Sequence, residues 1–111
     1  MYEYNADVIR VIDGDTIELN IDLGFRVWTK CHARLLGIDT PEIRTKNEDV
    51  KLLGLKAKSR VEEILTEYGN KVRIISHDLD KYGRPLVTVF AGSINVNQLL
   101  LNEGLARIYV M

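Results

Sequence analysis

The stretch TIELNIDL, residues 16–23, alternates polar and apolar side chains without a break. Because successive side chains of a β-strand point to opposite faces, this period of two predicts a strand with one buried face. A β-branched run at residues 8–12 precedes it and stops at Asp13-Gly14, a pair typical of a hairpin turn. After it, residues 25–36 predict a third strand. The first third of the chain is therefore predicted to be a three-stranded meander.

A helix follows the meander after a polar loop at residues 37–49. Apolar side chains recur there at spacings of three and four, which predicts a helix from about Asp49 to Tyr68 with one buried stripe. The stripe consists of Leu53, Ala57, Val61, Ile64, Leu65 and Tyr68. Gly69 suits the position just after the end of that helix.

Two further strands are predicted at residues 72–75 and 86–91, with a turn at residues 78–84 between them. A short helix begins after Asn95, which suits the N-cap, and Gln98 follows three residues later as in a capping box.

Gly104 ends the short helix, and residues 105–110 predict a last extended segment. The order of elements is three strands, a helix, two strands and a helix. This order matches a five-stranded OB-type barrel of the α+β class with two or so helices. The length suits a single domain over residues 1–111.

Composition narrows the class of protein further. Hydrophobic residues make up 46% of the 111 residues and charged residues 28%, an ordinary balance for a globular domain. The net charge of −1 means that a polyanionic partner must be bound by a local basic patch. No segment has the roughly 20 apolar residues of a membrane helix, so no membrane partner is predicted.

The cellular compartment stays open. The first seven residues lack the basic and apolar regions of a signal peptide. The protein is expected to be cytoplasmic if Met1 is native, and secreted if a signal peptide was removed.

Four carboxylates fall in the polar breaks between the predicted strands, at Asp13, Asp15, Asp39 and Glu42. Asp13-Gly14 also has the simpler interpretation of hairpin punctuation, but the hairpin does not require an acid at Asp15. Asp39 likewise has the alternative of an Asx-type turn.

The segment Asp39-Thr40-Pro41-Glu42 suggests a cation site. Pro41 holds Thr40 in an extended conformation and has no amide donor, which leaves the Thr40 carbonyl free. A carboxylate beside a free carbonyl suits a hard cation, and calcium accepts about six to eight oxygen ligands in irregular geometry. Asp15, Asp39 and the Thr40 carbonyl are therefore candidate calcium ligands.

Two arginines flank these acids in the sequence. Arg34 lies in the third predicted strand and Arg84 in the turn before the fifth. Taken alone, Arg84 is most simply a solvated turn residue. A metal, a carboxylate and two guanidinium groups together suit phosphodiester hydrolysis, because guanidinium binds phosphate oxygens bidentately. Glu42 is the candidate acceptor of the proton of the attacking water.

Three segments resemble the signature segments of the staphylococcal nuclease family. They are DGDT at residues 13–16, RLLGIDTPE at residues 34–42 and DKYGR at residues 80–84. A fourth segment, residues 95–106, is similar to the second-helix segment of that family. The resemblance spans essentially the whole chain. It implies a calcium-dependent nuclease that cuts DNA and RNA by attack of water at phosphorus, leaving 3′-phosphate ends.

The resemblance also implies a role for each matching residue. Arg34 and Arg84 would clamp the phosphate and its transition state, and Glu42 would hold and activate the water. Asp13 would lie in the outer shell of the metal. The calcium ligands would be Asp15, Asp39 and the Thr40 carbonyl. The residues that contact the phosphate and base of the nucleotide would be Lys81, Tyr82 and Tyr109, the last after a one-residue gap.

The predicted partners are DNA and RNA, with single-stranded or locally unpaired substrates favoured, and no obligate protein partner is inferred. The alternative is a non-catalytic module of the same fold that binds nucleic acid or protein. Domains of that kind usually lack the acids and arginines that this chain retains.

Overall fold

The computed structural model describes residues 2–110. Its first three strands form the predicted meander. Three antiparallel strands follow one another: β1 (Tyr2–Asp13), β2 (Thr16–Asp22) and β3 (Trp28–Leu35). The alternation has its expected cause over β2, because Ile17, Leu19 and Ile21 are buried in the core. It fails at Leu23, which lies beyond the end of β2 and is exposed. The meander is therefore confirmed.

Two strand boundaries in the meander were predicted wrongly. β1 is longer than residues 8–12 because its first half pairs with a later strand, which a local pattern does not reveal. β3 starts at Trp28 rather than residue 25, because Phe25 and Arg26 have positive φ angles of 54° and 61°. This left-handed backbone makes the hairpin turn and does not belong to a strand.

The barrel closes through the second half of the chain. Strand β5 (Lys71–Leu79) pairs with β1, and β6 (Pro85–Ala91) pairs with β5, both antiparallel. β6 then pairs in parallel with β3, in the register Arg34 to Leu86 and Leu35 to Val87. The five strands β1, β2, β3, β5 and β6 thus form a closed barrel, which confirms the OB-type α+β fold.

Helix α1 (Glu48–Glu67) lies where a helix was predicted. The Asn47 side chain caps it by accepting hydrogen bonds from the amides of Asp49 and Val50, at 3.0 and 3.2 Å. Gly69 has a φ of 69°, the left-handed conformation expected just after a helix end.

The predicted apolar stripe of α1 is wrong at both ends. Ala57, Val61, Ile64 and Leu65 are buried as expected, but Leu53 is 54% exposed and Tyr68 40% exposed. Gly54 is buried in place of Leu53, because the backbone of the loop at residues 41–42 packs directly on it.

Helix α2 (Val96–Asn102) begins at the predicted cap, where the Asn95 side chain accepts a hydrogen bond from the Gln98 amide at 3.0 Å. The capping box is only half formed, because the Gln98 side chain donates to Asn102 instead. Of the extended segment at residues 105–110, only β8 (Arg107–Ile108) is a strand, and it pairs with β4 (Ile38–Asp39).

Strand β7 (Ile94–Asn95) pairs with the edge of β6 just before α2. No helix within residues 2–110 has the length and apolar character needed to span a bilayer.

Candidate active site

The barrel topology brings the polar breaks of the sequence to one rim. In an antiparallel meander the end of β1, the start of β2 and the end of β3 lie at the same end of the sheet. The parallel pairing of β3 with β6 adds the start of β6 to that end. Asp15, Arg34, the loop after β4 and the turn before β6 therefore converge.

The ten residues singled out from the sequence line one cleft of about 360 Å³. They are Asp13, Asp15, Arg34, Asp39, Thr40, Glu42, Lys81, Tyr82, Arg84 and Tyr109. The geometry therefore places these candidates together, and none of them lies elsewhere on the barrel.

At the base of the cleft, the Arg34 guanidinium binds two carboxylates. Nη1 of Arg34 lies 2.5 Å from Oδ2 of Asp15, and Nη2 lies 3.3 Å from Oδ1 of Asp39. Nη2 also donates to the Ile38 carbonyl at 3.2 Å. Burial acts to lower the pKa of Arg34, but Asp15 and Asp39 outweigh that effect and raise it. Arg34 is thus a buried, permanently charged group between two acids.

This arrangement suits a hard cation. Asp15 and Asp39 approach the same positive group, so the site already stabilises positive charge between them. Asp15 is fixed further, because its Oδ2 accepts a hydrogen bond from the Thr40 amide at 3.1 Å and its Oδ1 accepts one from the Thr16 hydroxyl, also at 3.1 Å. Oxygen donors of this kind match calcium or magnesium better than softer metals. Within residues 2–110, however, no cluster of three or more His, Cys, Asp or Glu side chains is arranged as a metal site.

Glu42 sits on a loop that α1 holds in place. Its side chain is exposed and has no hydrogen bond or ion pair among residues 2–110, so it is available as a base. A Cβ atom added to Gly54 would lie 2.6 Å from the Pro41 carbonyl oxygen and 3.0 Å from that of Glu42. A Cβ on Gly14 would lie 2.9 Å from both Thr40 and Ala57. Two glycines therefore permit the close approach that positions the loop.

Arg84 is oriented by Asp80, four residues before it. Nε of Arg84 lies 2.7 Å from Oδ2 of Asp80, while Oδ1 accepts the amides of Tyr82 and Arg84 at 2.8 and 2.9 Å. Burial acts to raise the pKa of Asp80, but these hydrogen bonds and the Arg84 charge hold it below its ordinary value. Because Nε makes this contact and the Nη atoms of Arg84 have no hydrogen-bond partner among residues 2–110, the Nη atoms are available to a ligand.

The other wall of the cleft is formed by Lys81, Tyr82 and Tyr109. The Arg34 guanidinium lies 5.7 Å from the centroid of the Tyr109 ring, and Lys81 and Arg84 lie 5.2 and 5.6 Å from that of Tyr82. Beyond this wall lies a further cleft of about 520 Å³, here called the aromatic cleft. Its lining includes Tyr82, Tyr109, Leu79, Leu86 and Val110.

Two residues of the site were not found from the sequence. Asp80 carries a local signal that was overlooked, since an aspartate that accepts amides of the next turn is a common turn former. Arg107 binds Oδ2 of Asp39 through Nε and Nη2, at 3.2 and 3.1 Å. No local pattern indicates this contact, because it depends on the pairing of β4 with β8.

Comparison with known proteins agrees with the geometry. The family model described as staphylococcal nuclease homologue matches residues 32–111, which include Arg34, the loop at residues 39–42 and the DKYGR turn. The chain belongs to this family.

Individual relatives match nearly the whole chain. The thermonuclease of Staphylococcus hyicus is 36% identical over 105 residues, covering 95% of this chain and 59% of the relative. An uncharacterized protein of Methanocaldococcus jannaschii is 36% identical and covers 96% of this chain and 60% of the relative. Endonuclease YncB of Bacillus subtilis is 35% identical, covering 94% and 47%. The chain therefore spans between about half and three-fifths of the length of these curated relatives.

Proposed function

We propose that this staphylococcal nuclease homologue is a calcium-dependent phosphodiesterase that cuts DNA and RNA and leaves 3′-phosphate ends. The observation that carries the proposal is the single cleft that contains two acids on a shared guanidinium, a free carboxylate and a second, oriented guanidinium. The names of two relatives, a thermonuclease and an endonuclease, support the same class of reaction.

The arginines of the cleft bind negative charge on the phosphate, and Glu42 accepts a proton. Arg84, with its Nη atoms free among residues 2–110, binds the phosphate oxygens on which negative charge builds, and Arg34 supplies a second guanidinium at the base of the same cleft. Glu42 takes the proton of the attacking water as the water oxygen bonds to phosphorus and the bond to the 5′ oxygen breaks. The expelled oxygen is protonated from solvent.

Calcium would be held by the carboxylates of Asp15 and Asp39 and by the Thr40 carbonyl, with Asp13 outside them. When bound, it would neutralise charge on the phosphate. Lys81, Tyr82 and Tyr109 would hold the nucleotide by its phosphate and base, which favours unpaired strands because a stacked base is not accessible to the tyrosines.

A cleavage assay on single-stranded and plasmid DNA tests the proposal. We expect cleavage with calcium and none with chelator. The products should be extended by a polymerase only after phosphatase treatment, because a 3′-phosphate blocks extension. Arg84→Ala should lower kcat by at least about 10²-fold, as expected for the loss of one preorganised charge stabiliser.

Arg26→Ala is the matched control. Arg26 is an exposed arginine at the tip of the β2–β3 hairpin, about 20 Å along the strands from Arg34. This variant should cut like the parent. Binding of oligonucleotide without cleavage in calcium would instead favour the non-catalytic module, and an Arg84→Ala variant as active as the parent would remove Arg84 from the mechanism.

A further inference from the structure

A second cleft adjoins the candidate active site on the outer face of β1, β2 and β3. It has a volume of about 510 Å³ and shares Asp13, Thr16, Glu42 and Arg84 with the site. The two clefts therefore form one continuous groove that passes Glu42 and Arg84. The second cleft is called the arginine groove here, and its remaining lining residues are Arg10, Ile12, His32, Ile43 and Arg44.

The strand register holds Arg10 in place. Arg10 lies opposite Glu18 across β1 and β2, and Glu18 lies opposite His32 across β2 and β3, so the three side chains share the outer face. Nε of Arg10 donates to Oε1 of Glu18 at 2.9 Å, and Nε2 of His32 lies 3.5 Å from Oε2. The hydrogen bond from Arg10 lowers the pKa of Glu18, although burial acts to raise it. The Nη atoms of Arg10 have no side-chain partner among residues 2–110.

Arg44 is the second free cation of the groove. It lies in the loop after β4, two residues beyond Glu42, and it is exposed. Its guanidinium makes no hydrogen bond or ion pair within the described part of the chain. Arg10 and Arg44 thus offer unused donor groups on one path that leads away from Glu42.

The two ends of the continuous groove have different chemistry. Tyr82 and Tyr109 line the aromatic cleft, where bases can stack. The arginine groove has no aromatic ring in its lining apart from His32, and its guanidinium groups match phosphate oxygens. One end therefore suits a base and the other suits a sugar-phosphate backbone.

The position of Glu42 indicates in which direction the nucleic-acid strand runs through the groove. It lines the arginine groove and not the aromatic cleft. In an in-line displacement the leaving 5′ oxygen is opposite the attacking water that Glu42 holds. The leaving nucleoside is therefore directed toward the tyrosines. The fragment that keeps the phosphate is attached through an equatorial oxygen, at right angles to that line, and the arginine groove is the adjoining cleft whose free guanidinium groups suit its next phosphate.

We propose that the arginine groove binds the backbone phosphate on the 5′ side of the scissile bond through Arg10 and Arg44. This inference rests on the proposed nuclease function. Its consequence is a preference for substrates that extend in the 5′ direction, which favours cleavage within a strand.

Single-stranded oligothymidylates with one uncharged methylphosphonate test this subsite. Placed one linkage to the 5′ side of a single cleavable bond, the methylphosphonate should lower kcat/KM of the parent about tenfold, the loss expected for one charge-assisted hydrogen bond. The double variant, Arg10→Ala with Arg44→Ala, should cut the unmodified oligonucleotide and the 5′ methylphosphonate oligonucleotide with the same kcat/KM, about tenfold below that of the parent on the unmodified one. Arg26→Ala should keep it.

The same substitution on the 3′ side is the internal control, because the double variant should respond to it as the parent does. If the 5′ methylphosphonate affects the parent and the double variant equally, the arginine groove does not bind that phosphate. If the parent cuts neither oligonucleotide, the proposed function fails. Fluorescence anisotropy then decides the subsite: the 5′ methylphosphonate must weaken binding to the parent and leave binding to the double variant unchanged, and any other result overturns the inference.

Discussion

At the scale of single residues, the Asp80–Arg84 pair determines how the second guanidinium is presented. Asp80→Asn keeps an oxygen for the amides of Tyr82 and Arg84 but removes the charge that holds Nε of Arg84. We expect kcat to fall roughly tenfold, because Arg84 is no longer preorganised. The measurement is kcat/KM of Asp80→Asn, Arg84→Ala and the double variant. If Asp80 acts through Arg84, the double variant is no worse than Arg84→Ala alone.

Asp78→Asn serves as the control for Asp80→Asn, since Asp78 lies two residues earlier, at the end of β5, and accepts only the Leu79 amide among the described residues. Additive losses in the double variant would show that Asp80 does not act through Arg84.

The stability of Asp80→Asn provides an independent check. The pKa of Asp80 lies below its ordinary value of 3.8, so its contribution is complete above that pH and is lost as the pH falls through the depressed value. The difference in unfolding free energy between parent and Asp80→Asn should therefore disappear only in strong acid.

At the scale of secondary-structure elements, the packing of α1 on the loop at residues 41–42 fixes the position of Glu42. Gly54→Ala should raise helix propensity by up to about 1 kcal/mol. The added Cβ would, however, meet two backbone carbonyls that cannot move aside separately. Overpacking costs about 1–3 kcal/mol, so we expect a net loss of stability and at least a roughly tenfold fall in kcat as Glu42 is displaced.

Ser59→Ala isolates the propensity effect, because Ser59 is an exposed position of the same helix. It should leave kcat unchanged while slightly raising the denaturation midpoint. A Gly54→Ala variant with the activity and stability of the parent would show that the loop accommodates the methyl group and that Gly54 does not position Glu42.

The same elements show how far the sequence could be interpreted. Alternation and spacing predicted the barrel and α1, because those patterns report which face is buried. They placed Leu53 in the core instead of Gly54, since periodicity contains no information about a loop that packs backbone on backbone. Phe25 was assigned to a strand for a similar reason: its side chain favours strands, while its positive φ is set by the hairpin. The acids and the two arginines were singled out because they lie in or beside the breaks between predicted strands, whereas Lys81, Tyr82 and Tyr109 were predicted only from the resemblance to the family. Arg107 was missed because its contact depends on the pairing of β8 with β4.

At the scale of the whole molecule, closure of the barrel and formation of the site are one event. Arg34 lies in the closing pair of β3 with β6, and Arg84 is two residues before its partner Leu86. The buried side chain of Asn97 joins both strands: its Oδ1 accepts the Val89 amide, and its Nδ2 donates to the carbonyls of Leu36 and Val87, at 3.0 to 3.1 Å. Asn97 therefore holds the end of β3 to β6 and, through this pairing, fixes the distance between Arg34 and Arg84.

Asn97→Ala should accordingly weaken the entire fold. It removes three hydrogen bonds and takes this partner from the buried Val89 amide and the partly buried Leu36 carbonyl, whereas the Val87 carbonyl keeps the Leu36 amide at 2.9 Å. We expect a loss of about 3 kcal/mol in unfolding free energy. That is a large part of the roughly 5–15 kcal/mol of a typical domain, and it should lower Tm by roughly 15 °C. Asn102→Ala, at an exposed asparagine of the same helix, should change Tm little. Denaturant titration of both variants checks these two expectations. Equal midpoints for Asn97→Ala and Asn102→Ala would mean that the pairing of β3 with β6 does not depend on Asn97.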